Sequence, residues 1–347
     1  MGDGLSGLSG DGARVTVFAD PTARMFQEDC AKRGESKFPR RCFVHVSRAL
    51  FQTRQAPFPQ GFCGSIQRRR MPIPSRREGL ELVPEREFHF ATLSDVGTER
   101  PHNEDACGSL SESQAHLLIA VADGVGGYEA GEVASKTAID TLLRTYEESN
   151  RAWGAEKRLY RAAQQANIEV YDRAIVVPEL RGMATTLTAL VVDGSRAHVA
   201  HVGDSRLYLI RNGRVVQKTK DHTVAASRQR IGLISAAGAK EHPGRSVLTR
   251  SVGRDLIAQV DRITFSIEAG DVLVLCSDGL YNVLPDNELK EGVLDKAPTP
   301  ACAAIIHAAN TRGTPDNLTV AVVQVVGGPS PSKPPGWRGF FAKVLGR

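Results

Sequence analysis

The sequence predicts an α+β fold in which helix pairs cover antiparallel sheets, and three observations carry that expectation. From residue 87 onward the runs come in blocks of strands, helices, strands, helices and a final strand, not as single strands alternating with single helices. Asp193-Gly194 and Asn212-Gly213 sit between short apolar runs, where such dipeptides close two-residue hairpins. Four segments, Asn103-Glu104-Asp105, Val121-Ala122-Asp123-Gly124, Ser277-Asp278-Gly279 and Asp316-Asn317, each place an aspartate at the end of a strand-like run. A carboxylate there is rigidly held yet wet, so four that converge would cage hard divalent cations.

The elements follow in order. Residues 87–96 read as a strand, and 115–121 as a second, buried one that ends on Asp123. Residues 129–146 carry Val133, Thr137, Ile139, Leu142 and Leu143 at helical spacing, and 155–175 form a second amphipathic run, so two helices make one layer. Strands return at 186–192, 197–202, 206–210 and 214–217. Residues 221–253 are mixed small and polar, with His242-Pro243-Gly244, and suggest a mobile lobe beside the site. Strands at 258–267 and 272–276, helices at 285–296 and 299–309, and a strand at 318–326 complete the domain.

Composition bounds the rest. The chain has 347 residues, 41% hydrophobic and 24% charged, which suits one large domain with appendages. Residues 1–84 hold 14 basic and 8 acidic side chains, 85–327 hold 26 and 31, and 328–347 hold 4 and 0. The central region is therefore acidic and gives little support to a nucleic-acid partner.

Six cysteines without a C-x-x-C pair read as free thiols in a reducing compartment. Residues 1–84 are rich in Gly, Pro and Arg and read as a disordered extension; with Met71 as the start, the upstream text would be an over-long reading frame. No signal-peptide core and no run of about 18 apolar residues is visible, so a cytoplasmic monomer is expected. Residues 328–347 form a Pro-rich linker and then a cationic amphipathic tail. Trp337, Phe340, Phe341, Val344 and Leu345 lie at helical spacing there, which suits membrane-peripheral or protein contact through residues 336–347.

Arg100 precedes Asp105 by five residues, so it can fork onto a phosphate while the carboxylate faces a metal. Asp123-Gly124-Val125-Gly126-Gly127 puts three glycines within four residues, more than a plain strand-to-helix turn requires, and backbone groups can approach a ligand there. Asp204, in Gly203-Asp204-Ser205-Arg206, reads nearly as well as a hairpin cap.

In this order the blocks resemble the metal-dependent Ser/Thr phosphatases of the protein phosphatase 2C family in their bacterial form. The match runs from about Phe88 to Val326. It takes in Asp95-Val96-Gly97-x-x-Arg100-x-x-Asn103-Glu104-Asp105, Asp123-Gly124, Ala184-Thr185-Thr186, Gly203-Asp204-Ser205-Arg206, Asp221-His222-Thr223, Ser277-Asp278-Gly279 and Asp316-Asn317.

The resemblance implies a central sandwich of two antiparallel β-sheets, flanked by a pair of helices on each outer face. It implies that Asp123 bridges two Mn²⁺ or Mg²⁺ ions, that the carbonyl of Gly124 completes one site, and that Asp105, Asp278 and Asp316 hold the other. Asp204 would serve a third ion, Arg100 would clamp the phosphate, and residues of about 222–250 would form a flap. The implied reaction is hydrolysis of phosphoserine and phosphothreonine in proteins by direct attack of a metal-bridging hydroxide, opposing a cognate Ser/Thr kinase. A non-catalytic phosphothreonine-binding or partner-regulating relative of the same fold is the alternative, but it would lack some of these acids. Two departures stand out. Val125 occupies the place where many members carry a histidine proton donor, leaving the donor unassigned, and Ala184 stands where Gly is common.

Overall fold

Two antiparallel sheets pack face to face in the computed structural model, which describes residues 87–126 and 130–327. The first has strand order β1-β11-β10-β7-β8, with β1 Glu87–Asp95, β7 Arg206–Arg211, β8 Arg214–Gln217, β10 Val272–Cys276 and β11 Leu318–Val326. The second has the order β2-β3-β5-β6-β9, formed by β2 Asp105–Ser113, β3 His116–Val125, β5 Leu187–Asp193, β6 Arg196–Val202 and β9 Asp261–Ser266. A two-residue strand, β4 Ala184–Thr185, pairs with the end of β3.

Side-chain alternation on β3 shows how the layers are built. Leu117, Ile119 and Val121 enter the core between the sheets, together with Leu207, Leu273, Leu275 and Val323. Leu118, Ala120 and Ala122 face outward and are covered by helices α1 Ala130–Glu148 and α2 Ala155–Val176. On the other outer face, Val274, Val320 and Val322 meet α6 Asp286–Val293 and α7 Pro298–Thr311. Both faces of these strands are buried, so they read as continuous apolar runs. The result is the expected α-β-β-α sandwich.

Several boundaries differ from the sequence reading. Strand β2 was not expected: Asp105–Ser113 is small and polar, lies at a sheet edge and is only half-buried, so it lacks the apolar signature. Its Gly108 lets α1 press close, since a Cβ there would lie 2.7 Å from Ile139 Cγ2. The β5–β6 hairpin turns one residue later than expected: Asp193 pairs with Arg196, and Gly194 (φ +55°) and Ser195 form the loop. Asn212 (φ +51°) and Gly213 (φ +73°) do form the two-residue turn between β7 and β8.

Residues 221–253 contain two short helices, α3 Val224–Arg230 and α4 Ala236–Glu241, each capped by a hydroxyl. Thr223 Oγ1 accepts from the Ala226 N–H at 3.2 Å and Ser235 Oγ from the Gly238 N–H at 3.0 Å. A single helical turn, α5 Asp278–Tyr281, follows β10. The extension at 1–84 and the linker and tail at 328–347, with their implied membrane or protein contact, lie outside the described residues. Among the described residues, no helix is long and apolar enough to cross a membrane.

Candidate active site

The carboxylates meet because strand ends from both sheets meet. Asp105 opens β2 and is in direct register with Asp123 on β3. The alternation that sends Ile119 and Val121 between the sheets puts Asp123 on the same face. From the opposite sheet, Asp278 follows β10 by two residues and Asp316 precedes β11 by two. Ser277 closes the gap between the sheets: its Oγ donates to Asp105 Oδ2 at 2.6 Å and accepts the Thr319 N–H at 3.0 Å.

Glycines make the close approach feasible. A Cβ on Gly124 would lie 2.1 Å from the Gly131 carbonyl oxygen and 2.6 Å from that of Glu104, and one on Gly279 would lie 2.2 Å from the Asn317 carbonyl oxygen. Both positions exclude any side chain.

Electrostatics sets these acids apart. Burial, then the fields of Asp278 and Asp316, raises Asp105 to about 7, against the opposing hydrogen bonds from Ser277 and Thr319. Asp278 rises to about 6, through burial and then Asp316. Asp123 lies well above the usual carboxylate range because of burial and then the charges of Asp105, Asp278, Asp204 and Asp316. Asp204 is raised by burial, then by Asp278 and Asp221, with Arg206 opposing.

Among the described residues, none of Asp105, Asp123, Asp204 and Asp278 has an ion-pair partner within 4.0 Å. Buried anions that raise one another and lack a cation are the donor chemistry of a divalent metal site. Among the described residues, no three of these side chains already converge as a complete ligating set. The fit is therefore one of donor type and mutual field.

Arg100 reaches the rim. Its Nη2 lies 3.1 Å from Asp316 Oδ2 and 3.0 Å from Oδ1, and its Nε donates to the Pro315 carbonyl at 3.3 Å. The expected phosphate clamp and an expected metal ligand are thus paired with each other at the open edge of the cluster. Asp204 sits in a turn tied to the same centre: Thr186 Oγ1 accepts the Asp123 N–H at 2.9 Å and lies 2.6 Å from Ser205 Oγ.

Sequence reasoning passed over the residues that hold these acids in place. Asn317 Oδ1 accepts the Glu104 N–H at 2.9 Å, and its Nδ2 donates to the carbonyls of Val96 (2.8 Å) and His102 (2.9 Å), which pins the Arg100 loop to the Asp316 turn. Asn103 Nδ2 donates to Ser94 Oγ (2.8 Å), itself 2.7 Å from Thr319 Oγ1. His222 Nδ1 accepts the Gly203 N–H at 3.1 Å, and its Nε2 faces Asp261 at 3.2 Å. The available signal was a hydroxyl or amide inside an otherwise apolar or acidic motif, such as Ser277 between Cys276 and Asp278.

A sandwich of two antiparallel sheets with a helix pair on each outer face, and with buried carboxylates at adjoining strand ends, is the class of fold these residues build. The chain belongs to the protein phosphatase 2C family, whose model matches residues 98–319. It is 36% identical over 241 residues to the serine/threonine phosphatase stp of Listeria innocua, covering 68% of this chain and 96% of that one. It is also similar to the crystal structure of the Mycobacterium tuberculosis serine/threonine phosphatase PstP/Ppp, with a TM-score of 0.63, 33% identity, and coverage of 69% of this chain and 99% of that one. The catalytic domain of PstP in complex with two manganese ions matches with a TM-score of 0.62 and 32% identity over the same shares of the two chains.

Proposed function

We propose that this chain is a metal-dependent protein serine/threonine phosphatase. The observation that carries the reading is the placement of Asp105, Asp123 and Asp278 at adjoining strand ends, each buried and each held above the usual carboxylate range by burial and its neighbours. Asp123, at the centre of that field, is the residue suited to bridge two ions, with Asp105, Asp278, Asp316 and the Gly124 carbonyl completing the sites. Mn²⁺ or Mg²⁺ suits such an all-oxygen set, and Asp204 would serve a third ion. When bound, the cations supply an activated water nucleophile and neutralise charge on the phosphoryl oxygens.

The protein's own groups do the rest. Arg100, half exposed and tethered among the described residues to the Asp316 carboxylate and the Pro315 carbonyl, can exchange that partner for a phosphate and present two parallel N–H donors to it. Asp316 would be among the residues that hold a cation, which would weaken its pairing with Arg100 and ease that exchange. Asn317 keeps Arg100 and Asp316 in register during the exchange. Val125 has no proton to give, so protonation of the leaving alkoxide falls to water in the site.

The substrates are phosphoserine- and phosphothreonine-bearing proteins, and a cognate Ser/Thr kinase is the opposing partner. Residues of about 222–250 act as a flap beside the site, and 85–327 as the catalytic domain. Release of phosphate from a phosphothreonine peptide tests the reading: wild-type protein should require Mn²⁺ or Mg²⁺, and Asp123→Ala and Asp278→Ala should each abolish turnover. Retained turnover in either variant overturns it.

A further inference from the structure

A groove opens directly beside the carboxylate cluster and has no role in the chemistry above. Its cavity volume is about 1030 Å³, ample for several side chains of a bound peptide. Its floor continues the ladder that carries the metal-site residues. Gly124 pairs with Thr185 and Val125 with Ala184, and Thr185 in turn exchanges two backbone hydrogen bonds with Val252, at 3.0 and 2.8 Å. A chain laid along this floor from the carboxylate cluster passes over Val125, which is 46% exposed.

The lining is mainly apolar, with two basic side chains. Ile175 on α2 and Val247 in the 221–253 segment are largely exposed apolar side chains that line it. Arg181 and Arg254 are its charged lining residues, no acidic side chain lines it among the described residues, and neither arginine has an ion pair or side-chain hydrogen bond among the described residues. Exposed apolar side chains on both walls, left wet in the free protein, are what an interaction surface leaves uncovered. Unpaired guanidinium groups beside them select for acidic groups.

We infer that this groove receives the substrate polypeptide next to its phosphorylated residue, taking an apolar side chain over Val125 and an acidic one between Arg181 and Arg254. The inference rests on the phosphatase reading and adds to it a substrate class: phosphosites flanked by an apolar and an acidic residue. Continuity of the floor with the Asp123–Gly124 strand places the occupant. The charge of Arg181 and Arg254 sets its sign.

The test compares two phosphothreonine peptides of equal length, one flanked by Leu and Glu and the other by Gly and Lys. Wild-type kcat/KM should favour the Leu/Glu peptide by roughly tenfold or more, the scale expected of two partly exposed charge contacts plus one apolar contact. The Arg181→Glu/Arg254→Glu double variant should lose or invert that ratio; a ratio of two peptides on one enzyme preparation is independent of the fraction folded. Hydrolysis of p-nitrophenyl phosphate, too small to reach the groove, separates the two levels. No Mn²⁺-dependent hydrolysis of it by the wild type sinks the phosphatase reading itself. Hydrolysis with equal kcat/KM for the two peptides, or a preference unchanged in the double variant, overturns the groove assignment alone.

Discussion

Replacing Ser277 by alanine removes one oxygen and tests how the two sheets are locked at the site. Ser277 is fully buried, and its hydroxyl both donates to Asp105 at 2.6 Å and accepts the Thr319 N–H at 3.0 Å. A hydrogen bond to a charged acceptor contributes about 1.5–3 kcal/mol, and an orphaned buried N–H costs about 1–3 kcal/mol. Asp105, raised to about 7, can relieve part of the loss by taking up a proton, which favours the lower half of the sum. A destabilisation of about 2.5–4 kcal/mol follows, or a fall in Tm of roughly 5–16 °C for a domain of this size.

The same change removes a donor that favours ionised Asp105, so protons compete better with cations at that carboxylate. The half-saturating Mn²⁺ concentration for p-nitrophenyl phosphate hydrolysis at pH 7 should rise about tenfold. The rise should shrink towards pH 9, where Asp105 is ionised in both proteins. Differential scanning fluorimetry with and without Mn²⁺, together with the metal titration, measures both effects. A Tm within about 1 °C of wild type and an unchanged metal requirement would refute the idea that Ser277 clamps Asp105 across the sheets.

Other expectations are open to equally direct checks. In metal-free protein Asp105 and Asp278 are raised to about 7 and about 6, above the unfolded range near 3.9. Their contribution to stability is then complete below about pH 4 and is lost as pH climbs through 6 to 7. The Tm of EDTA-treated protein should therefore fall between pH 5 and pH 8, and Mn²⁺ should restore it at pH 8; a rise with pH would contradict the burial of these acids. Gly124→Ala should cost about 3 kcal/mol or more and weaken Mn²⁺ binding together, since its Cβ would strike two backbone carbonyl oxygens; urea unfolding and Mn²⁺ titration report both. Arg158→Ala, at the far end of the sheet from the cluster, strips Glu112 of a bidentate partner at 2.5 and 2.9 Å. Its Tm should fall on the order of 10 °C with the Mn²⁺ half-saturation unchanged.

The sequence by itself determined the parts whose signals are local. The turn at Asn212-Gly213, the helical spacing from Val133 to Leu143, and the limits of β8, β10 and β11 follow from neighbours along the chain, and the structure reproduces them. The choice of Asp105, Asp123, Asp278 and Asp316 as candidate site acids was also local, because each ends or opens a strand-like run. Strand β2 escaped because a half-buried edge strand of Asp, Gly and Ser carries no apolar signature. The Gly194-Ser195 turn escaped by one residue, because Asp193 is kept in the ladder by its pairing with Arg196.

Only the tertiary structure decided how the acids are joined. Ser277 meets Asp105 across 172 positions, Asn317 reaches His102 across 215, and Arg100 spans 216 to Asp316. Those partners share no local pattern, since what brings them together is the packing of two sheets whose strand ends coincide. The raised carboxyls of Asp105, Asp123 and Asp278 are likewise a product of that packing: each aspartate is ordinary in the chain, and its proton is held more tightly only when burial and its neighbours' charge act on it together.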